Sequence, residues 1–97
     1  MTVNVTMQLP AVLADVAGGR RTLAVQLDTA DPTLSDLLDV VGCVHPHLVR
    51  RLRTESGQLR RYVNVFADGE DVRNAQGTET PLTENVVVLV LPSVAGG

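Results

Sequence analysis

The sequence predicts an α+β fold, one sheet carrying a helix on one of its faces, and three observations lead there. Several stretches alternate apolar and polar residues with a period of two, the signature of half-buried strands. Leu34, Leu37, Leu38 and Val41 recur at i, i+3, i+4 and i+7, which is a helix stripe. Residues 86–91 are apolar at every position, as a strand covered on both sides or carrying an exposed apolar stripe must be.

Taken in order, residues 2–9 place Val3, Val5, Met7 and Leu9 on one strand face and Thr2, Asn4, Thr6 and Gln8 on the other, and Pro10 closes the strand. A short apolar set, Val12, Leu13 and Val16, leads to the turn signal Gly18-Gly19. A second strand follows with Leu23, Val25 and Leu27 on one face, so the chain opens as a hairpin with a long connection. Asp31 then reads as an N-cap with Pro32 at the first helical position, Asp36 as a carboxylate favoured near the helix start, and Gly42 as the stop. A shorter helix is expected from Pro46 to about Arg53, with Leu48, Val49 and Leu52 inward and Arg50, Arg51 and Arg53 outward. Residues 54–57 read as a loop, residues 62–66 as a third strand, Asp68-Gly69 as a two-residue hairpin turn and residues 70–72 as a short fourth strand. The polar segment 73–84 has no clean period and reads as a surface connection containing at most one helical turn. Residues 86–91 make the fifth strand, ended by Pro92. One of its two sets, Val86/Val88/Val90 or Val87/Leu89/Leu91, faces away from the helix.

At 97 residues the chain has room for one core, and 44% apolar against 20% charged residues is a globular balance. The division expected is a folded domain over residues 1–91 and a flexible tail over 92–97. The longest apolar run is far short of the roughly 20 residues that span a bilayer. Residues 1–4 lack the basic flank of a signal peptide, which predicts a cytoplasmic protein, and a lone Cys43 agrees with a reducing compartment. A net charge of −3 speaks against nucleic acid as a partner. All eight basic residues are arginines, so no lysine is available as a Schiff-base nucleophile, a phosphate clamp or a site of self-conjugation.

Beyond Glu84 no side chain is ionisable, and the sequence closes on Val94-Ala95-Gly96-Gly97. Gly96 and Gly97 lack a Cβ, and the terminal carboxylate on Gly97 is the only charge after Glu84. Ordering the six residues 92–97 costs roughly 6–12 kcal/mol of backbone entropy, against little apolar area in the tail itself. The uncovered sheet face, with strand-five residues and Phe66, is the natural place for an apolar contact to come from.

A fifth strand ending in Leu91-Pro92 and the closing Val94-Ala95-Gly96-Gly97 resemble the ubiquitin-like sulfur carriers that serve molybdopterin, thiamine and cysteine synthesis. The likeness covers nearly the whole chain. The stretch Arg61-Tyr62-Val63-Asn64-Val65-Phe66, followed by Gly69-Glu70-Asp71-Val72-Arg73, is most similar to the cysteine-biosynthetic branch. Thr83-Glu84-Asn85 stands where many such carriers have an Asp-Gly-Asp turn. The resemblance implies a β-grasp with a mixed five-stranded sheet, one main helix on one face and no cofactor of its own. It also implies that an E1-like activating enzyme uses ATP to adenylate the Gly97 carboxylate. Sulfur then displaces AMP to leave a thiocarboxylate, which a second, sulfur-accepting biosynthetic enzyme consumes. On this reading Val94, Ala95 and Gly96 thread the partner's channel, while Phe66, Val87, Leu89, Leu91 and Pro92 form the partner-binding face. The chain is expected to be monomeric when free, with no membrane or nucleic-acid partner.

Other residues carry weaker chemistry. Cys43 is expected to be a partly buried structural thiol. His45 and His47 flank Pro46 without a second ligand cluster, so no metal site is expected. Arg50, Arg51, Arg53, Arg60 and Arg61 are read as a solvated basic face, which is also able to steer an acidic partner or bind a phosphate-bearing one. Asp68, Glu70 and Asp71 belong to turn chemistry. No nucleophile–base pair or phosphate loop is present, so independent catalysis is not expected. Three functional classes remain: a sulfur carrier, a protein modifier joined through Gly97 to lysines of other proteins, and a passive binding domain. For a carrier, the third-strand likeness favours cysteine synthesis, with molybdopterin, thiamine and sulfur-bearing secondary metabolites as alternatives.

Overall fold

The computed structural model describes residues 2–92. Five strands form one mixed sheet: β1 (Val3–Gln8), β2 (Thr22–Leu27), β3 (Val63–Ala67), β4 (Glu70–Asp71) and β5 (Val86–Pro92), in the order β2-β1-β5-β3-β4. β1 and β2 are the expected opening hairpin, with Met7 opposite Leu23 and Val5 opposite Val25. β5 lies centrally, parallel to β1 and antiparallel to β3. The helices are α1 (Ala11–Ala14), α2 (Leu34–Val44) and α3 (Pro46–Leu52). This is the ubiquitin-like β-grasp.

The core lies between one face of the sheet and α2 with α3. Met7, Leu34, Leu37, Leu48, Leu52, Val88 and Val90 are each fully buried in it. Aliphatic side chains alone fill it, since Phe66 and Tyr62 both lie outside. The alternation read along β1 and β2 holds: Val5, Met7, Leu23 and Leu27 are buried, while Asn4, Gln8, Thr22 and Gln26 are exposed.

Several boundaries differ from expectation, each for a local reason. The N-cap of α2 is Thr33, not Asp31. The Thr33 amide donates to Asp36 Oδ2 at 2.8 Å, and Thr33 Oγ1 accepts from the Asp36 amide at 3.3 Å, a reciprocal capping box. The helix is held back because residues 32–34 are pinned to residues 80–82. Leu82 N donates to Pro32 O at 2.8 Å, and Leu34 N donates to Thr80 O at 3.0 Å. Asp31 instead occupies a left-handed turn position at φ 51°.

Gly42 does not end α2. The helix continues to Val44, and His45 stops it, because the residue before Pro46 is turned away from helical geometry. Gly42 faces α3, where an added Cβ would meet Val49 Cγ2 at 3.5 Å. Residues 11–17, expected only as a connection, form α1 and a 3-10 turn that bury Leu13 and Ala17. β4 ends at Asp71, Val72 is buried at the start of a 3-10 turn, and a second such turn covers Gly77–Glu79. The connection after β4 thus holds two short helical turns rather than at most one. Pro92, expected to end the fifth strand at Leu91, is itself the last residue of β5, opposite Val63.

Candidate functional site

Which side of β5 faces outward is decided by its register. Val86, Val88 and Val90 are buried under the helices, so Val87, Leu89 and Leu91 point to the opposite face. There Leu89 lies between Gln8 of β1 and Phe66 of β3, Val87 lies opposite Thr6, and Leu91 lies opposite Asn64. Val87 and Leu91 are 38% and 39% exposed, far more than their buried neighbours on the same strand. Gln8, Phe66, Asp68, Gly69, Val87, Leu89 and Leu91 line a shallow concavity on this face. Phe66, Val87, Leu89 and Leu91 are therefore brought together on one surface, and Pro92 follows Leu91 at its end.

The rim of this surface is built by the β3–β4 turn. Asp68 at φ 49° and Gly69 at φ 84° are the two central residues, as a hairpin turn of two left-handed positions requires. The Asp68 amide donates to Val87 O at 3.0 Å, and Asp68 Oδ1 accepts from the Val87 amide at 3.3 Å. The turn is thereby tied to the middle of β5. Asp71 Oδ1 accepts from the Arg73 amide at 2.9 Å, so this carboxylate also serves a turn. Gln8 and Asn64 were not singled out in the sequence as part of this surface. Their signal was the polar position each holds on its strand, Gln8 on β1 and Asn64 on β3, once both strands are placed beside β5.

At the end of β5 the pairing of Pro92 with Val63 sets residues 60–62 beside the point where the chain leaves the sheet. Arg60 Nε donates to Arg50 O at 2.7 Å, and Arg60 O accepts from Arg73 Nη2 at 2.7 Å. Arg73 Nη1 also donates to Asn64 Oδ1 at 3.1 Å. Arg53 pairs with Asp39 at 2.7 Å, the one salt bridge among the described residues. Arg50, Arg51, Arg60, His47, Tyr62 and Val16 line a groove beside this exit. Four of the five arginines read as a solvated basic face are exposed or half-exposed here, and Arg53 is held by Asp39.

Cys43 is exposed, not partly buried. Because α2 runs through Gly42, Cys43 falls about 200° around the helix from the buried Val41. It lines an open groove with Arg50, Arg53 and residues 54–57. His45 is the junction of α2 and α3, and His47 is exposed. Among the described residues no group of three or more His, Cys, Asp or Glu side chains is placed to hold a metal. No helix of the described residues is long and apolar enough to cross a membrane. Val94, Ala95, Gly96 and Gly97, the residues assigned to threading and to reaction, lie outside the described residues.

A β-grasp with one uncovered apolar face, whose central strand runs into a Gly-Gly sequence, defines a class of ubiquitin-like proteins. The chain belongs to the ThiS family, which it matches over residues 7–97. It is 33% identical over 94 residues to the sulfur carrier protein CysO of Mycobacterium tuberculosis, covering 97% of this chain and 99% of that one. It is 37% identical over 90 residues to small archaeal modifier protein 1 of Haloferax volcanii, covering 93% and 97% of the two chains. Among solved structures, a chain of the BexX/CysO complex of Amycolatopsis orientalis superposes with a TM-score of 0.81 at 31% identity, over 96% of this chain and 99% of that one.

Proposed function

We propose that this chain is a sulfur carrier, a protein co-substrate whose Gly97 carboxylate is the reacting group. One observation carries the reading: the sheet face free of helices presents Phe66, Val87, Leu89 and Leu91, and the same strand leads into the uncharged Gly-Gly sequence. The apolar face supplies docking energy, and residues 92–97 deliver a carboxyl group that no side chain obstructs. The CysO relatives support the same role.

The chemistry belongs to the partners. An E1-like activating enzyme transfers AMP from ATP to the Gly97 carboxylate and releases pyrophosphate. Hydrosulfide then attacks the carbonyl, AMP leaves, and a thiocarboxylate remains. Where the sulfur comes from a donor's persulfide, displacement of AMP leaves an acyl disulfide, and a thiol supplies the two electrons that release the thiocarboxylate. A sulfur-accepting enzyme, with cysteine synthesis preferred, consumes it.

Intact-mass measurement after co-expression with the activating enzyme and a sulfur source tests the reading. The expected product has gained the mass difference of one sulfur over one oxygen, located on Gly97. An unchanged mass overturns it. To test the destination, thiocarboxylated protein carrying isotopic sulfur is supplied to a cell extract, and the label is expected in cysteine rather than in molybdopterin or thiamine.

The 37% identity to small archaeal modifier protein 1 favours a second reading, conjugation through Gly97 to lysines of other proteins. Branched Gly-Gly remnants on target lysines are its required product. This chain, having no lysine, is not its own target.

A further inference from the structure

The arginines have a placement that the carrier chemistry does not use. β5 ends at Pro92, and the strands beside it bring arginine pairs to that same end. Arg60 and Arg61 precede β3, whose first residue lies opposite Pro92. Arg20 and Arg21 precede β2, whose first residue lies opposite Gln8 near the end of β1, which runs parallel to β5. Arg21 shares a groove with Pro10 and Leu91, while Arg50 and Arg51 on α3 share one with Arg60 and Tyr62. The topology thus collects arginines from three separate elements around the point where the chain leaves the sheet.

Five of the eleven acidic residues lie at the other end, while Asp15, next to Val16, lies on the arginine side. Asp28 and Asp31 follow β2, Asp68 and Glu70 sit at the β3–β4 turn, and Glu84 precedes β5. A protein with a net charge of −3 therefore carries an arginine-rich pole where β5 ends. Such a separation orients a molecule during encounter and raises the on-rate toward a complementary surface.

We propose that this arginine collar docks on an acidic protein surface around the entrance through which a partner enzyme admits the tail, so that charge presents the tail first. The proposal rests on the carrier reading. The five residues 93–97 span at most about 17 Å when fully extended. Groups at the tail's root therefore meet what surrounds the entrance, while the reacting carboxyl lies deeper. Arg20 and Arg21 lie on the β1–β2 side of the exit and Arg50, Arg51 and Arg60 on the β3 side, a spread that suits a broad acidic rim better than a single phosphate. The five carboxylates at the other end of so small a domain disfavour nucleic acid.

The test uses full-length protein and the activating enzyme, purified from the source cells by carrier-dependent ATP–pyrophosphate exchange. Arg50→Gln with Arg51→Gln removes two charges from exposed side chains that have no hydrogen-bond partner among the described residues. Thr29→Glu with Ala30→Glu changes the net charge equally at the far end. At low salt the arginine variant is expected to raise the KM for the carrier about tenfold with kcat unchanged. The far-end variant is expected to match wild type, and the difference is expected to vanish at about 1 M salt, where screening reaches about 3 Å. An unchanged KM in the arginine variant, or an equal rise in the far-end variant, overturns the proposal while leaving the carrier reading intact. Binding of duplex DNA by wild type, lost in the arginine variant, would also overturn it. If no fraction exchanges pyrophosphate with wild type, the carrier reading itself fails, and the collar proposal falls with it.

Discussion

Asn85 shows how one residue holds a turn that the family resemblance left open. It sits at φ 64° immediately before β5, and its amide donates to Asn4 O at 2.8 Å. Asparagine tolerates the left-handed region better than most non-glycine residues, so Thr83-Glu84-Asn85 builds the turn into β5 without a glycine. Asn85→Val is expected to lower stability by about 1–2 kcal/mol in urea unfolding, and Asn85→Gly to be tolerated. The α2 cap behaves similarly. Thr33→Ala should cost about 1 kcal/mol, whereas Asp31→Ala, at the position the sequence suggested as N-cap, removes no helix cap. Gly42 offers the opposite sign. It is helical, and a methyl group there meets Val49 at an ordinary contact distance of 3.5 Å. Gly42→Ala is therefore expected to raise stability by up to about 1 kcal/mol, checked by the same unfolding curves. The two ends of α2 also explain what local sequence left hidden. Asp31-Pro32 and Gly42 carry strong helix-end preferences, but pairing with residues 80–82 and the packing of α2 on α3 decide the actual ends.

Elements with a clear period were legible in the sequence. β1, β2, α2 and α3 appear where alternation or a 3.6-residue stripe put them, because one face of each must be buried. The faces of β5 were not legible, since an all-apolar run has no polar side to read. Its parallel register with β1 supplies the answer and separates the roles of adjacent residues. Leu37, fully buried on α2, is expected to cost about 2–5 kcal/mol when changed to Ala. Leu89→Ala, on the outer face, should cost much less in unfolding. It is instead expected to weaken binding of the activating enzyme by at least about tenfold, as loss of an apolar anchor does. Equal effects of the two substitutions on stability, with no effect of Leu89→Ala on binding, would refute the division of work between the faces. The outer apolar surface was thus half visible from sequence: Phe66, Val87, Leu89 and Leu91 were assigned to it through the family resemblance, but Gln8 and Asn64 join it only once strand order is known. α1 escaped notice because four residues are too few to show a period.

For the molecule as a whole, the carrier reading predicts that the fold and the proposed reacting end are separable. Deleting Gly96 and Gly97 is expected to leave thermal unfolding unchanged and to abolish thiocarboxylate formation, two measurements on one variant. A passive binding domain would lose nothing by that deletion. The central position of β5 has a further, mechanical consequence. A partner that draws the end of the chain into a channel exerts a pull on Pro92 along the strand axis. β5 is bonded to β1 on one side and β3 on the other, and its hydrogen bonds lie across the direction of that pull. They are loaded together, in shear, instead of opening one after another like a zipper from an edge strand. On the carrier reading, tension applied to Pro92 is therefore expected to be shared along β5 before it unravels the sheet.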